Sequence, residues 1–487
     1  MPTLQYSSVL FKCLLVLHIL TIAVRSEVIS AKLKESLEKK SVANITITFK
    51  TRPSEALNRV ASKIKTITNR GTILEILSDE LERDALKSQK TTLGLLQSGK
   101  TTPKFLSLWL TNQISVQGAS IDLVNKIASL DEVSRVEECR TFVLYTEKDS
   151  VKFEEYEGRA ELPIALIPPG YGVSRTQADE VWKLGYDGSG IVVGIIDSGV
   201  RLTHDVLRET YVGTDNYGWF DPDQLSKYPY DIMIYEGHGT ACIGPAVASN
   251  GIGIAPAAKW MACKVVDADK VWHQDWIIAC LQFMLCPTDH QGNNKNCSKA
   301  PHVINNSWYY PAGEDDAVLR EITPVLVASQ INFVFCAGNQ GPGCGTVAPP
   351  GSYKEFIAVG GADFKDILTP SSGWGPGEGG MIKPDVIAAG KYVPIAHVSS
   401  DYAYSTESGT SLASPQVAGV IALMLQKNPT LTPPEINKIL RNTAINNVTL
   451  NNQDECGGVP VDKIPNHQIG YGYVNALNAV NAVTALH

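Results

Sequence analysis

The chain has 487 residues, enough for one large core or for two to three domains. Its 44% hydrophobic and 19% charged residues are typical of a soluble globular protein. The net charge of -8, without a cluster of lysine and arginine, excludes a basic surface for nucleic acid.

The N-terminus contains a short apolar run, "VLFKCLLVLHILTIAV", followed by the small residue Ser26. This pattern predicts a signal peptide over residues 1–26. A retained anchor is the alternative, although the run is short for a membrane span. No later segment approaches that length, so we expect a mature protein that is secreted through the secretory pathway, is extracellular, and has no membrane contact after signal cleavage.

Residues 27–150 predict a small α+β domain. Alternating residues indicate strands, and helically spaced apolar residues behind a Ser/Asp cap indicate helices. The predicted elements are a strand in "VANITITFK", a helix in "PSEALNRVASKI", one or two strands in "TPKFLSLWLTNQISVQG", a helix in "SIDLVNKIASLDEV" and a closing strand in "CRTFVLYTE". The unit therefore contains strands and two helices. Residues 151–171 follow, acidic and rich in Pro and Gly, and indicate an exposed linker.

From residue 172 to 487 the pattern changes to short, nearly all-apolar runs alternating with helical stretches. The runs are "IVVGIID", "WMACKVV", "HVINNSW", "INFVFCAGN" and "FIAVGG", and the helical stretches include "DWIIACLQFML" and "DAVLREITPVLVASQ". Fully apolar strands alternating with helices predict an α/β fold, a predominantly parallel sheet with helices on both faces. Reactive groups of such sheets lie beyond the carboxyl ends of the strands, where Asp197 and Asn339 fall.

Three side chains here suit nucleophilic catalysis. A serine hydroxyl needs a base within hydrogen-bonding reach, and the base needs an orienting partner. Asp197 follows a strand, His238 opens a small-residue helix between two glycines, and Ser411 precedes a long apolar helix. Taken singly, each has a structural explanation: a turn aspartate, a helix-start histidine and a helix cap. Their order, Asp then His then Ser, is one of three unrelated orders known for the catalytic triad.

The segments "DSGV", "GHGT" and "GTSLASPQVAG" resemble the three signature segments of the subtilisin-like serine proteases, and "AGNQG" resembles that family's oxyanion segment. The resemblance runs from about Gly172 to the C-terminus. Within the family the likeness is greatest to the bacillopeptidase F group, through "LGYDGSGIVVGIIDSGV", "VINNSW" and "GYGYVNA".

The resemblance implies a secreted serine endopeptidase. Ser411 would be the nucleophile, His238 the general base and acid, Asp197 its orienting partner, and Asn339 the oxyanion donor. A rival hypothesis is a catalytically impaired pseudoprotease that acts as a binding protein. An esterase or peptide ligase using the same triad is a third.

The same resemblance assigns the residues that contact substrate, and several depart from the family pattern. One wall of the cleft has bulky residues where small ones are usual, and the opposite wall lacks the usual glycines. Whether they narrow the cleft or line new pockets stays open. The predicted set is Trp308, Tyr309, Tyr310, Lys270, Val271, Trp272, Ala337, Gly338 and Ala348.

Residues 27–150 resemble the family's propeptide, in layout only, and an unrelated interaction module is the alternative. We therefore expect a zymogen that cleaves itself in the linker, whose partners are its own propeptide and polypeptide substrates, and which is a monomer. No cofactor is implied. The family's strongest calcium site looks lost, with Val206 about where a ligand Asp is expected, while weaker oxygen-ligand calcium sites stay open.

Ten cysteines suit the secretory route. Cys286 and Cys297 are the best disulfide candidate, and Cys336 with Cys344 is a weaker one. Cys263 and Cys336 lie in predicted core strands, where a buried free thiol is the simplest interpretation. The sequons at Asn44, Asn296 and Asn447 predict a glycoprotein, whereas the sequon at Asn305 falls in a predicted core strand.

Overall fold

A computed structural model describes residues 28–98, 102–143, 170–232, 237–450 and 455–484. The chain divides into two compact units, Met1–Ser62 with Leu77–Arg140 and Lys63–Ile76 with Thr141–His487. The predicted signal peptide lies outside the described residues, as does nearly all of the predicted linker.

The first unit is built on a four-stranded antiparallel sheet in the order β2-β3-β1-β4. Its inward-facing residues, among them Ile45, Ile47 and Val116, form one buried cluster with Val124 and Ile127 of a helix. The elements up to residue 138 are α1 (Ala31–Lys39), β1 (Val42–Phe49), α2 (Pro53–Ile64), α3 (Arg70–Gln97), β2 (Phe105–Leu108), β3 (Gln113–Ser120), α4 (Ile121–Ala128) and β4 (Val133–Glu138).

The strands β1, β2 and β3 and the helices α2 and α4 lie where the sequence predicts them, and the Ser120 side chain caps α4 by accepting from Leu123 N at 3.4 Å. The expectation of two helices was wrong, because α1 and α3 add two more among the described residues. The helix α1 buries only Leu33, and the buried face of α3 includes the polar residues Ser78, Glu80, Gln89 and Thr92, so neither helix presents a long apolar face in the sequence.

The second unit contains the predicted parallel sheet. Seven parallel strands run in the order β13-β12-β11-β10-β6-β8-β7. From residue 141 on, the strands are β5 (Thr141–Phe142), β6 (Val192–Asp197), β7 (Trp219–Phe220), β8 (Lys259–Lys264), β9 (Trp272–His273), β10 (Val303–Asn306), β11 (Asn332–Cys336), β12 (Ile357–Ala362), β13 (Val386–Ala389), β14 (Val393–Ala396) and β15 (Tyr404–Glu407). The helices are α5 (Tyr171–Thr176), α6 (Ala178–Lys183), α7 (His238–Val247), α8 (Gln274–Leu285), α9 (Ala317–Ala328), α10 (Thr410–Lys427), α11 (Pro433–Thr443) and α12 (Ala476–Ala482).

Helices cover both faces of this sheet, as the alternation along β6 shows. Val193 and Ile195 join the buried cluster that contains Val417 of α10. Gly194, between them, faces the other side, where an added Cβ would lie 2.8 Å from the sulfur of Met284 in α8. The predicted α/β fold class is therefore confirmed. None of the helices in the described ranges is both long and apolar enough to cross a bilayer.

Three disulfides cross-link the described part of the second unit. Cys286–Cys297 forms as predicted. The prediction of a free Cys263 was wrong, because Cys263 in β8 faces α8 and bonds Cys280, with 5.5 Å between the two Cα atoms.

The weaker candidate pair, Cys336 with Cys344, was also wrong. Cys344 lies in the loop after β11 and bonds Cys456, with a Cα–Cα distance of 5.4 Å. Cys336 ends β11 with its thiol free and buried near Thr410, and burial raises its pKa to about 12.

Candidate active site

Asp197 and His238 meet at the carboxyl end of the parallel sheet. Asp197 is the last residue of β6, and His238 is the first residue of α7. The Nδ1 atom of His238 lies 2.8 Å from Oδ1 of Asp197. A carboxylate accepts hydrogen bonds, so in the neutral ring Nδ1 carries the proton and Nε2 has the lone pair. This is the tautomer that a general base requires.

The charge of Asp197 favours the protonated imidazole. Burial lowers the pKa of His238, but the carboxylate outweighs it and holds the pKa well above its usual value. Asp197 Oδ1 also accepts from Ser198 N at 2.7 Å, while Oδ2 has no hydrogen-bond partner among the described residues. The Asp197 carboxylate therefore lies directly beside the His238 ring and stabilises its protonated form.

Cys242, one helical turn after His238, packs against the imidazole. Its sulfur lies 3.6 Å from Nε2 and 3.7 Å from Nδ1 of His238. Burial raises the pKa of Cys242 to about 11, so the group is a neutral thiol at physiological pH. The carboxylate oxygen, a ring nitrogen and the sulfur all lie within 4.8 Å of one another. The local sequence around Cys242 gives no sign of this contact.

Ser411 is the second residue of α10, whose N-cap is Gly409. The hydroxyl of Ser411 therefore does not cap the helix. It donates to the backbone carbonyl of Ser307 at 3.1 Å, and it takes this partner rather than His238. Ser307, directly after β10, also lies against the thiol of Cys242. The Ser411 side chain must therefore rotate before its proton can pass to the imidazole. Catalytic hydrogen bonds are often not yet formed in unliganded sites.

The side-chain amide of Asn339 and the backbone N of Ser411 lie beside the same space. Thr410 donates to Asn339 Oδ1 from its backbone N at 2.9 Å and from its hydroxyl at 2.8 Å. These bonds orient the amide and leave Nδ2 as its free end. A Cβ added to Gly409 would lie 3.4 Å from Asn339 Nδ2 and 3.8 Å from Ser411 N, so both donors border the same space. This pair is suited to stabilise an oxyanion.

The small residues of the predicted substrate set lie together. Gly338 has a φ of +91°, and a Cβ there would lie 2.7 Å from the Ala348 Cβ and 3.6 Å from the Tyr309 ring. Ala348 N donates to Ala337 O at 2.9 Å. The chain leading into Asn339 therefore has no room for larger side chains.

Two aromatic residues of the set, Trp272 and Tyr310, contact Phe142. β5 pairs antiparallel with β9, opposite Trp272. The Phe142 ring stacks on Trp272 at 6.0 Å and tilts onto Tyr310 at 4.7 Å between centroids. Trp308 turns into the core against Phe335 at 5.5 Å.

The remaining two residues of the set lie on the turn that leads into β9. Lys270 is exposed and Val271 is partly buried. Val271 N donates to Asp267 Oδ1 at 3.0 Å, which fixes the turn.

Asp231 is a further residue that the sequence did not reveal. Its carboxylate accepts from Ser198 Oγ at 2.8 Å and from Thr240 N at 2.9 Å. These partners belong to the segments that carry Asp197 and His238. Nothing in the local pattern around Asp231 marks it, because its importance comes from contacts distant in sequence.

The chain matches the model of the Subtilase family over residues 188–472. It is similar to Bacillopeptidase F of Bacillus subtilis (strain 168), with 31% identity over 94% of this chain and 32% of that protein. It is also similar to Subtilisin E of the same organism, with 30% identity over 62% of this chain and 70% of that protein. Serine protease AprX of Bacillus subtilis (strain 168) is 31% identical over 52% of this chain and 61% of that protein. The chain thus spans about a third of the length of Bacillopeptidase F.

Proposed function

Because this chain belongs to the Subtilase family, we propose that it is a serine endopeptidase made as a self-processing zymogen. The observation that carries the proposal is the hydrogen bond from His238 Nδ1 to Asp197, which leaves Nε2 as the base. The relatives are named subtilisins and serine proteases.

In the proposed reaction, the Ser411 hydroxyl turns from the Ser307 carbonyl to His238 Nε2 and attacks the peptide carbonyl carbon. Its proton passes to Nε2, and Asp197 stabilises the resulting imidazolium. Asn339 Nδ2 and Ser411 N donate to the oxyanion. The proton then passes to the leaving amine as the peptide C–N bond breaks, and a water molecule hydrolyses the acyl-enzyme by the same steps.

We further propose that residues 27–150 are an inhibitory propeptide and that self-cleavage falls within residues 151–171. Two observations support the inhibitory part. Thr141 and Phe142 add a strand to β9, and strand addition is how extended peptides bind a sheet edge. The Phe142 ring also contacts both Trp272 and Tyr310, which belong to the predicted substrate set.

We also propose a secreted glycoprotein that acts as a monomer on polypeptide substrates. Three disulfides support an oxidising compartment. Asn44 and Asn447 are exposed and open to glycosylation, and Asn296 is partly exposed, whereas Asn305 is fully buried. Weak calcium sites on oxygen ligands remain part of the proposal, and no other cofactor is proposed.

A pseudoprotease is the alternative, and one observation favours it: the Ser411 hydroxyl is bonded to Ser307 and not to His238. The two functions differ in whether Ser411 reacts. The test treats the purified full chain and the variants Ser411→Ala and Ser408→Ala with a fluorophosphonate probe. Ser408→Ala is the control, because the Ser408 hydroxyl accepts from Tyr392 N at 3.1 Å.

We expect wild type and Ser408→Ala to be labelled and processed, and Ser411→Ala to be neither. An unlabelled wild type, or processing that persists in Ser411→Ala, would falsify the protease proposal and favour the pseudoprotease.

A further inference from the structure

A partly buried hydrogen-bond network joins the two segments that carry Asp197 and His238, and its centre is Asp231. One carboxylate oxygen accepts from the Ser198 hydroxyl at 2.8 Å. The other accepts from the Thr240 backbone N–H at 2.9 Å and from the Thr240 hydroxyl at 2.5 Å. One carboxylate thus receives three donors from two different segments.

Each partner is adjacent to a residue of the proposed triad. Ser198 directly follows Asp197, and its hydroxyl oxygen also accepts from Gly239 N at 2.8 Å. Gly239 and Thr240 directly follow His238. The network therefore runs from the Asp197 segment to the His238 segment by two routes, through Ser198 and through Asp231.

Close backbone approach makes these segments sensitive to small shifts. A Cβ on Gly199 would lie 2.0 Å from the Tyr230 carbonyl oxygen, and a Cβ on Gly239 would lie 2.0 Å from the Gly199 carbonyl oxygen. Three stretches of backbone are thus packed directly on one another. Hydrogen bonds, rather than side-chain bulk, therefore fix their register: Val200 N donates to the Tyr230 carbonyl at 3.2 Å, and the Asp231 carboxylate adds the side-chain bonds.

We propose, building on the proposed function, that Asp231 is a positioning residue that holds Asp197 and His238 in hydrogen-bonding register, and that only its carboxylate form does so. Asp231 touches neither reacting atoms nor substrate in this role. It acts through Ser198 and Thr240.

The donor count explains why the carboxylate form is required. An ionised carboxylate accepts all three bonds. A proton on Oδ2 would face the two Thr240 donors, so it would go to Oδ1, where it faces Ser198. The Ser198 hydroxyl would then have to accept from Asp231 as well as from Gly239, and its own proton would lose its acceptor. The Ser198 route would be rearranged next to Asp197.

Protonation falls within an accessible pH range. Burial raises the pKa of Asp231 to about 7, the bonds from Thr240 and Ser198 oppose this rise, and the charge of Asp197 adds to it. On the neighbouring loop, the Tyr230 hydroxyl bonds Asp221, and Lys264 lies 5.6 Å over the Tyr230 ring. None of the basic side chains in the described ranges forms an ion pair with Asp231. Because the pKa is raised, the carboxylate form is present above about pH 7 and is lost below it.

The test compares Asp231→Asn with the control Asp215→Asn, an exposed residue on which the same charge is removed. At pH 8 we expect Asp231→Asn to lower kcat about tenfold, the size of one lost bond to a charged group, with KM within about twofold. Below pH 7 the difference in kcat between Asp231→Asn and Asp215→Asn should disappear, because the Asp231 that Asp215→Asn retains is then neutral as well. Asp231→Glu should recover part of kcat at pH 8.

A spectroscopic readout does not depend on activity. In the full chain with Ser411→Ala, the downfield proton resonance of His238 Nδ1–H reports its bond to Asp197. We expect this resonance to be sharp at pH 8, to broaden below pH 7, and to be broad at every pH when Asp231→Asn is added. Failure of the fluorophosphonate test would leave this resonance measurable, so the two proposals can fail separately.

Two outcomes overturn the inference. One is a wild-type kcat and a sharp resonance in Asp231→Asn at pH 8. The other is a loss of kcat that is equal at every pH and accompanied by a lower Tm, which would assign Asp231 a purely structural role.

Discussion

Ser307 and Ser411 exchange hydrogen bonds. The Ser411 hydroxyl donates to the Ser307 carbonyl at 3.1 Å, and the Ser307 hydroxyl donates to the Ser411 carbonyl at 2.7 Å. Both residues are buried, and the Ser307 hydroxyl also accepts from Asn305 Nδ2 at 2.9 Å. The end of β10 is thereby tied to the first turn of α10, which fixes where the proposed nucleophile sits.

Ser307→Ala removes one of the two bonds, the one that the Ser307 hydroxyl donates, and keeps the backbone carbonyl that accepts from the Ser411 hydroxyl. The carbonyl of Ser411 and the amide of Asn305 would lose a buried partner, at a cost of about 1–3 kcal/mol in the free energy of unfolding. We expect a lower Tm in the Ser411→Ala background, where self-digestion cannot interfere, and slower fluorophosphonate labelling in the otherwise wild-type chain. Ser307→Thr keeps the hydroxyl and should restore both. Equal labelling rates for Ser307→Ala and wild type would show that the Ser307 hydroxyl does not position Ser411.

Asn339→Ala removes the proposed oxyanion donor. We expect kcat to fall about 10²- to 10³-fold, a magnitude measured in a subtilisin and carried over here. KM should stay nearly constant, because the bond forms only in the transition state. Steady-state kinetics on a peptide substrate give both constants. A rise in KM with kcat unchanged would instead make Asn339 a ground-state binding residue.

Thr410→Val is a milder test of the same amide. The substitution removes the hydroxyl bond to Asn339 Oδ1 and keeps the backbone bond. A neutral hydrogen bond contributes about 1 kcal/mol, so kcat should fall about fivefold. A loss as large as that of Asn339→Ala would contradict the view that the backbone N–H of Thr410 is enough to orient the amide.

The cross-links should differ in their effect on stability. Cys344–Cys456 closes a stretch of 112 residues, and Cys286–Cys297 closes one of 11. From loop-closure entropy, the first should contribute about 4–5 kcal/mol and the second about 3 kcal/mol. Thermal unfolding of the double Cys→Ser variants, each in the Ser411→Ala background, checks the order. A larger loss of stability on removing Cys286–Cys297 would mean that native-state strain or residual structure in the unfolded chain outweighs loop-closure entropy.

Local sequence predicted the features that local physics determines. Asp197 ends β6 and His238 begins α7, because apolar runs and glycines mark such boundaries in the sequence itself. Pairings between distant segments were not readable. Cys263 meets Cys280 because of how α8 lies on β8, and no local pattern encodes the side of a strand that a helix will cover.

The same limit explains the residues that sequence reasoning missed at the site. Asp231 and Ser307 look like ordinary loop residues, and they matter because folding brings them to Thr240 and Ser411. The open question about the bulky cleft residues also needed three-dimensional information. Trp308 turns inward to Phe335, whereas Trp272 and Tyr310 remain in contact with Phe142.

Phe142→Ala tests whether that aromatic contact restrains the zymogen. The substitution removes two ring contacts, each contributing about 0.5–1.5 kcal/mol, and should weaken retention of the strand Thr141–Phe142 about tenfold or more. We expect the purified full chain to develop activity towards an added peptide with a shorter lag. Val143→Ala is the matched control, because Val143 is the next residue and is 65% exposed. If both variants show the wild-type lag, Phe142 does not restrain the site; if Val143→Ala shortens the lag as much as Phe142→Ala, the restraint comes from the backbone of the segment and not from the ring.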